Sequence, residues 1–148
     1  MLSVIVEAQD EDGPRLPGVL ALLTSAAVDG LVREVVIAGG GPADLLEVLR
    51  EETGAELAAG LAPAVAGAKA DLLLVLPADF RPRLGWVEAL GLHLRGGGRE
   101  GLLAGEGGGL LKRAPVAVLI GRTKAAELAH PDLNRLRRAL GARAARIG

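Results

Sequence analysis

Short apolar blocks alternate with stretches of helical periodicity along this chain, and each block ends in an acidic or glycine-rich turn. Leu2-Ser3-Val4-Ile5-Val6 runs into Glu7-Ala8-Gln9-Asp10-Glu11-Asp12, and Glu34-Val35-Val36-Ile37-Ala38 runs into Gly39-Gly40-Gly41-Pro42. Residues 71–76 run into Pro77-Ala78-Asp79-Phe80. Blocks this short, without polar alternation, predict strands covered on both faces. Between them, Leu16, Val19, Leu20, Leu23 and Ala27 recur at helical spacing and predict a helix over about 16–28, stopped by Gly30. Pro42 stands at a natural first helical position, with Asp44 in the first turn, Leu45, Val48 and Leu49 facing inward and Gly54 as the stop.

The same reading gives a short strand near Glu56-Leu57 and a small-residue helix over about 63–70. Arg81-Pro82-Arg83 opens a further helix whose inward positions are Leu84, Val87 and Leu90. Residues 96–109 form a glycine-rich connection without clear periodicity, expected to be mobile or to order only with a ligand or partner. A strand over 116–120 and helices over about 123–128 and 131–140 complete the chain, with Leu133, Leu136 and Leu140 as the last apolar stripe. Alternating strands and helices predict a three-layer α/β/α, Rossmann-like fold with a mostly parallel sheet. The 148 residues contain no internal repeat and are read as one domain. In such sheets ligands bind beyond the carboxyl ends of the strands, so the three punctuated ends predict one cleft with Asp79 on its wall.

Composition narrows the chemistry. Aromatic residues make up only 1% of the chain, so the core is aliphatic and base-stacking recognition of nucleic acid is not expected. With no cysteine there are no disulfides and no thiolate metal sites. The opening residues lack the features of a signal peptide and no apolar run approaches the ~18 residues of a spanning helix, so a cytoplasmic protein is expected. The net charge of −1 is unevenly spread. Residues 1–60 hold 11 acids and 3 bases, a net of −8, whereas residues 121–148 hold 2 acids and 7 bases, a net of +5. The basic tail either complements the acidic half or presents Arg135, Arg137, Arg138, Arg143 and Arg146 to a phosphate or an anionic membrane surface. Oligomeric state is left open.

Two turns carry candidate chemistry. Gly39-Gly40-Gly41-Pro42 would let backbone N–H groups approach a phosphate, or is simply a tight strand-to-helix turn; it lacks the lysine and hydroxyl of a Walker loop. Asp79, with Asp10, Glu11 or Asp12 across the sheet edge, offers hard oxygen ligands to Mg2+ or Mn2+ carrying a diphosphate, or belongs to a solvated loop. His93 and His130 are far apart and have no partner at zinc-ligand spacing. The hydroxyl residues lack a nucleophile-elbow context.

The order of these landmarks resembles the nucleotide-sugar domain of family-2 glycosyltransferases, which have the GT-A fold. That family opens with an apolar strand and a Pro-Thr-x-Asn-Glu type loop, matched here by Ser3–Val6 and Glu7–Glu11. Its second strand, Glu-Val-Ile-Val-Val-Asp-Asp-Gly-Ser-Thr-Asp, aligns with residues 34–44, and its Leu-Asp-Ala-Asp metal motif aligns with Leu76-Pro77-Ala78-Asp79. Val118–Arg122 is similar to the strand before the acceptor-side helix. Asp132-Leu133-Asn134-Arg135-Leu136 resembles the helix bearing the general base.

The resemblance implies transfer of a sugar from a nucleotide-diphosphate sugar. It implies Glu7, Asp10, Glu11, Gly39 and Gly40 at the nucleotide sugar, Asp79 at the metal, and Asp132 or His130 as base. The chain departs from the pattern where Gly39 and Gly40 replace an aspartate pair, and where Pro77 replaces the first acid of the metal motif. Those departures sustain an alternative, a non-catalytic protein of the same fold acting through protein or membrane contacts of its basic last helix. A third reading, a nucleotidyltransferase-like protein, would put the glycine-rich loop after the first strand rather than the second.

Overall fold

The computed structural model describes residues 1–111 and 113–148. Strand β1 (Leu2–Ala8) leads through a 3-10 helix (Asp10–Arg15) into α1 (Leu16–Val28), β2 (Val32–Gly39) and α2 (Ala43–Thr53). Then come β3 (Glu56–Ala58), α3 (Leu61–Gly67), β4 (Leu72–Pro77) and α4 (Trp86–Arg95). The chain ends with β5 (Gly101–Ala104), β6 (Val116–Gly121), α5 (Arg122–Ala126), α6 (Leu133–Leu140) and β7 (Arg146–Ile147). The strands form one sheet in the order β3-β2-β1-β4-β6-β5-β7. Only β6 runs against its neighbours, so the sheet is mostly parallel, as expected.

Period-two alternation within the strands builds two cores from one sheet. Val4, Val6, Leu74, Leu76 and Leu119 face α1, α2 and α4. Ile5, Leu73, Val75, Val118 and Ile120 face α3, α5 and α6. Both faces are therefore apolar, which is why the strands read as unbroken hydrophobic runs. Each of these side chains, once buried, contributes on the order of 1.5–3 kcal/mol. Helix α1 occupies residues 16–28, with Leu16, Val19, Leu20 and Leu23 buried as its spacing required.

Within β1, Ser3 is a fully buried polar residue. Its hydroxyl donates to Glu34 Oε2 at 2.5 Å and accepts the Ala70 N–H at 3.0 Å, while Lys69 N–H also reaches Glu34 Oε2 at 2.6 Å. This cluster ties β1, β2 and the approach to β4 together at the amino ends of the strands, the end remote from the glycine turn.

Several expectations shift in detail. The acidic loop after β1 is a 3-10 helix because Asp12 folds inward, accepting from the Gln9 N–H at 2.8 Å and pairing with Arg15 at 2.8 Å. Pro42 is the residue before α2 rather than its first, with extended backbone, and Leu46 joins Leu45 and Leu49 against the core while Val48 is exposed. Leu84 does not belong to a helix: Gly85 takes a left-handed φ of 81°, α4 begins one residue later, and the Leu84 side chain is wholly exposed. The connection over 96–109 contains β5, whose Leu102 and Leu103 are buried. Two inward leucines are too few to register as a period in sequence, but the antiparallel register with β6 and the parallel one with β7 hold them. Among the described residues, no helix is long and apolar enough to cross a membrane.

Candidate functional site

The register of the sheet brings the punctuated strand ends level. Glu7 lies opposite Ala38 of β2 on one side and Pro77 of β4 on the other, and Ala8 lies opposite Gly39. Above the ends of β1 and β2 is a cleft of about 430 Å³. Its floor and near wall are Glu7 to Glu11 with Ala38, Gly39 and Gly40, and its far wall is formed by the starts of α3 and α6, including Gly60, Leu61, Pro131 and Asp132. A larger hollow of about 750 Å³ lies elsewhere, beside Leu31, Trp86 and Arg95, and holds none of the predicted site residues. The smaller cleft sits where the topology of an open α/β sheet places ligands.

Glu7, Asp10, Glu11, Gly39, Gly40 and Asp132 all line this cleft. Asp79 and His130 do not. Asp79 is half-buried in the turn after β4, two residues past Pro77, where the Phe80 N–H closes on the Pro77 carbonyl at 3.0 Å. It stands on the same edge of the sheet as the cleft, one strand over from its floor. His130 is exposed, and its carbonyl accepts from Arg135 Nη1 at 2.9 Å. The other histidine, His93, uses Nε2 to bond the Glu100 carbonyl at 3.1 Å and so serves the α4–β5 connection.

The pairing of Glu7 with Asp132 is the chemical centre of the cleft. Asp132 precedes α6 and caps it, its Oδ1 accepting the Arg135 N–H at 2.8 Å. Glu7 meets the same helix start through a hydrogen bond from the Leu133 N–H. Burial pushes the Glu7 carboxyl above its ordinary range; the Leu133 bond opposes that shift and the nearby Asp132 charge adds to it. Glu7 Oε2 is buried and has no hydrogen-bond partner among the described residues. Two carboxyl groups in unlike environments, one inclined to hold a proton and one anchored as a cap, form an arrangement suited to proton transfer.

The glycines of the β2–α2 turn are required by close packing. Gly39 has φ 112°, and a Cβ there would collide with the Ala8 carbonyl oxygen. A Cβ on Gly40 would overlap the Asp10 carboxylate, and the Gly40 N–H donates to the Ala8 carbonyl at 3.1 Å. The carboxylate of Asp10 thus fills the space a side chain at position 40 would take, so this corner of the cleft keeps an acid despite its glycine.

Sequence reasoning missed the Glu7–Asp132 pairing, because 125 positions separate the two residues along the chain. One signal was present: Ser3, Ile5 and Glu7 share a face of β1, so Glu7 was a charged residue in an inward-facing row. Among the described residues there is no group of three or more histidine, cysteine or acidic side chains placed to hold a metal ion. No protein-family model matches this chain, and no curated protein matches it.

Proposed function

We propose that the cleft binds a nucleotide-diphosphate sugar and that the protein transfers the sugar to an acceptor hydroxyl, in the manner of family-2 glycosyltransferases of the GT-A fold. The observation that carries this reading is the convergence of Glu7, Asp10, Glu11, Gly39, Gly40 and Asp132 on one cleft above the ends of β1 and β2. Asp10 and Glu11 would accept hydrogen bonds from the sugar and nucleoside hydroxyls, and the glycine turn would let the ligand approach the backbone. Asp132 would take the proton of the acceptor hydroxyl as the new glycosidic bond forms and the bond to the diphosphate breaks, with Glu7 setting the local charge.

Of the metal-motif positions only Asp79 keeps a carboxylate, since Pro77 contributes none, and it stands one strand over from the cleft floor. This fits Mg2+ or Mn2+ arriving with the diphosphate, because such ions are commonly held by one or two carboxylates plus substrate oxygens. Its chemistry would be to neutralise charge on the departing diphosphate.

A panel of nucleoside diphosphates with Mn2+ tests the reading by thermal shift. One member should raise the melting temperature, and both Asp79→Ala and Asp10→Asn should abolish that rise. No shift across the panel at millimolar concentration would reject it. The second reading, a non-catalytic protein of the same fold acting through protein or membrane contacts, is favoured by the structural duties already held by key positions. Asp132 caps α6, while Gly39 and Gly40 admit the Ala8–Asp10 backbone. It predicts no nucleotide-dependent shift at all.

A further inference from the structure

Helix α6 has its cleft-lining cap at one end and a concentration of unpaired charge at the other. Arg137 and Arg138 lie in its last turn, Gly141 turns the chain with φ 81°, and β7 returns Arg146 beside Leu102 of β5. These three arginines line a hollow of about 350 Å³ whose remaining walls are Leu102, Gly141, Ala142 and Ala144. No carboxylate lines it. Four other arginines pair with acids: Arg15 with Asp12, Arg50 with Glu47, Arg122 with Asp71, and Arg135 with Asp132. Among the described residues, none of Arg137, Arg138 and Arg146 has such a partner.

Like charges that converge on an open hollow repel one another unless an anion joins them. The negative end of α6 offsets this for Arg137 and Arg138. Arg146 belongs to a strand and gains nothing from that helix. Guanidinium groups present paired N–H donors matched to phosphate oxygens, and three of them balance an anion of two or three charges. The volume falls at the small end of the range for ligand pockets, ~300–1,000 Å³, so the hollow suits a compact group rather than a polymer.

We propose that this hollow is a binding site for a phosphate-bearing anion of diphosphate size, either a free small molecule or a lipid phosphate headgroup. The site is independent of the cleft, from which it is separated by the length of α6, roughly 12 Å.

Inorganic pyrophosphate in EDTA, at constant ionic strength, is the probe. The full chain should bind it by calorimetry and gain melting temperature. Arg137→Gln/Arg146→Gln should weaken binding at least tenfold, and Arg138→Gln should weaken it to a lesser degree. Loss of the nucleotide response with retention of pyrophosphate binding would strike only the glycosyltransferase reading. Undiminished binding by the double variant, or a response that equimolar sodium chloride reproduces, would overturn the proposal, as would no binding. Sedimentation with phosphatidylglycerol vesicles, against phosphatidylcholine controls, assigns the source. Binding that pyrophosphate displaces identifies a headgroup, and pyrophosphate binding without vesicle binding identifies a free ligand. Circular dichroism of each variant checks that the surface substitutions leave the fold intact.

Discussion

The carboxylate of Asp10 occupies the space that a Cβ on Gly40 would need. The relationship joins two turns 30 positions apart, and it makes a glycine at the cleft a condition of where the acid stands. The loop after β1 and the turn after β2 therefore behave as one unit, closed by the Gly40 N–H on the Ala8 carbonyl. Gly40→Ala should destabilise the protein by about 1–3 kcal/mol, the usual range for overpacking a filled site. Gly39→Ala should cost about as much, because its φ of 112° is strained for any L side chain. Adding Asp10→Ala to Gly40→Ala should recover part of the loss, giving a non-additive cycle in urea unfolding. Strict additivity would show that the two residues do not share that space.

Glu7 links stability to pH. Its folded pKa lies above the ordinary 4.5, so the folded chain binds this proton more tightly than the unfolded chain does. The resulting contribution is complete below about 4.5 and is lost as pH rises through the raised folded value. Glu7→Gln keeps an acceptor for the Leu133 N–H and removes the titration. The variant should be the more stable protein at neutral pH, with the difference shrinking towards pH 4. A pH series of melting temperatures reads this directly, and parallel curves for the two proteins would contradict the assignment.

Asp132 has two separable roles, a cap and a charge. Asp132→Asn keeps a capping oxygen for the Arg135 N–H, whereas Asp132→Ala removes it and should cost about 1 kcal/mol. Both variants remove the carboxylate beside Glu7 and should lower the Glu7 pKa, which carboxyl-carbon NMR follows. If Asp132 is the base, both should also lose glycosyl transfer to the same extent. Activity that tracks stability instead would limit Asp132 to capping.

Ser3 provides a control at the far end of the sheet. Ser3→Ala leaves the buried Ala70 N–H without its acceptor and takes a donor from Glu34, for an expected cost of about 1–3 kcal/mol. Because this cluster lies at the amino ends of the strands, ligand responses of the cleft should be unchanged at temperatures where the variant is folded. A lost ligand response in the folded variant would show that the two ends of the sheet are coupled.

By itself, the sequence determined the layers and the edge on which chemistry would gather. Apolar runs such as Leu73–Leu76 can be satisfied only by cover on both faces, and the leucines of α1 recur at a period that only a helix aligns; both are local properties of the chain. The same logic put Asp79 and the Gly39–Gly41 turn at strand ends. Tertiary structure decided what local pattern does not encode. It held Leu102 and Leu103 in a strand by pairing them with β6 and β7, and it left Leu84 in water because the left-handed Gly85 delays the start of α4 until Trp86. It joined Glu7 to Asp132 and Asp10 to Gly40, while leaving Asp79 one strand away from the cleft floor. Those pairings depend on strand order and register, which arise from the packing of segments remote in sequence, and no window of neighbouring residues carries that information.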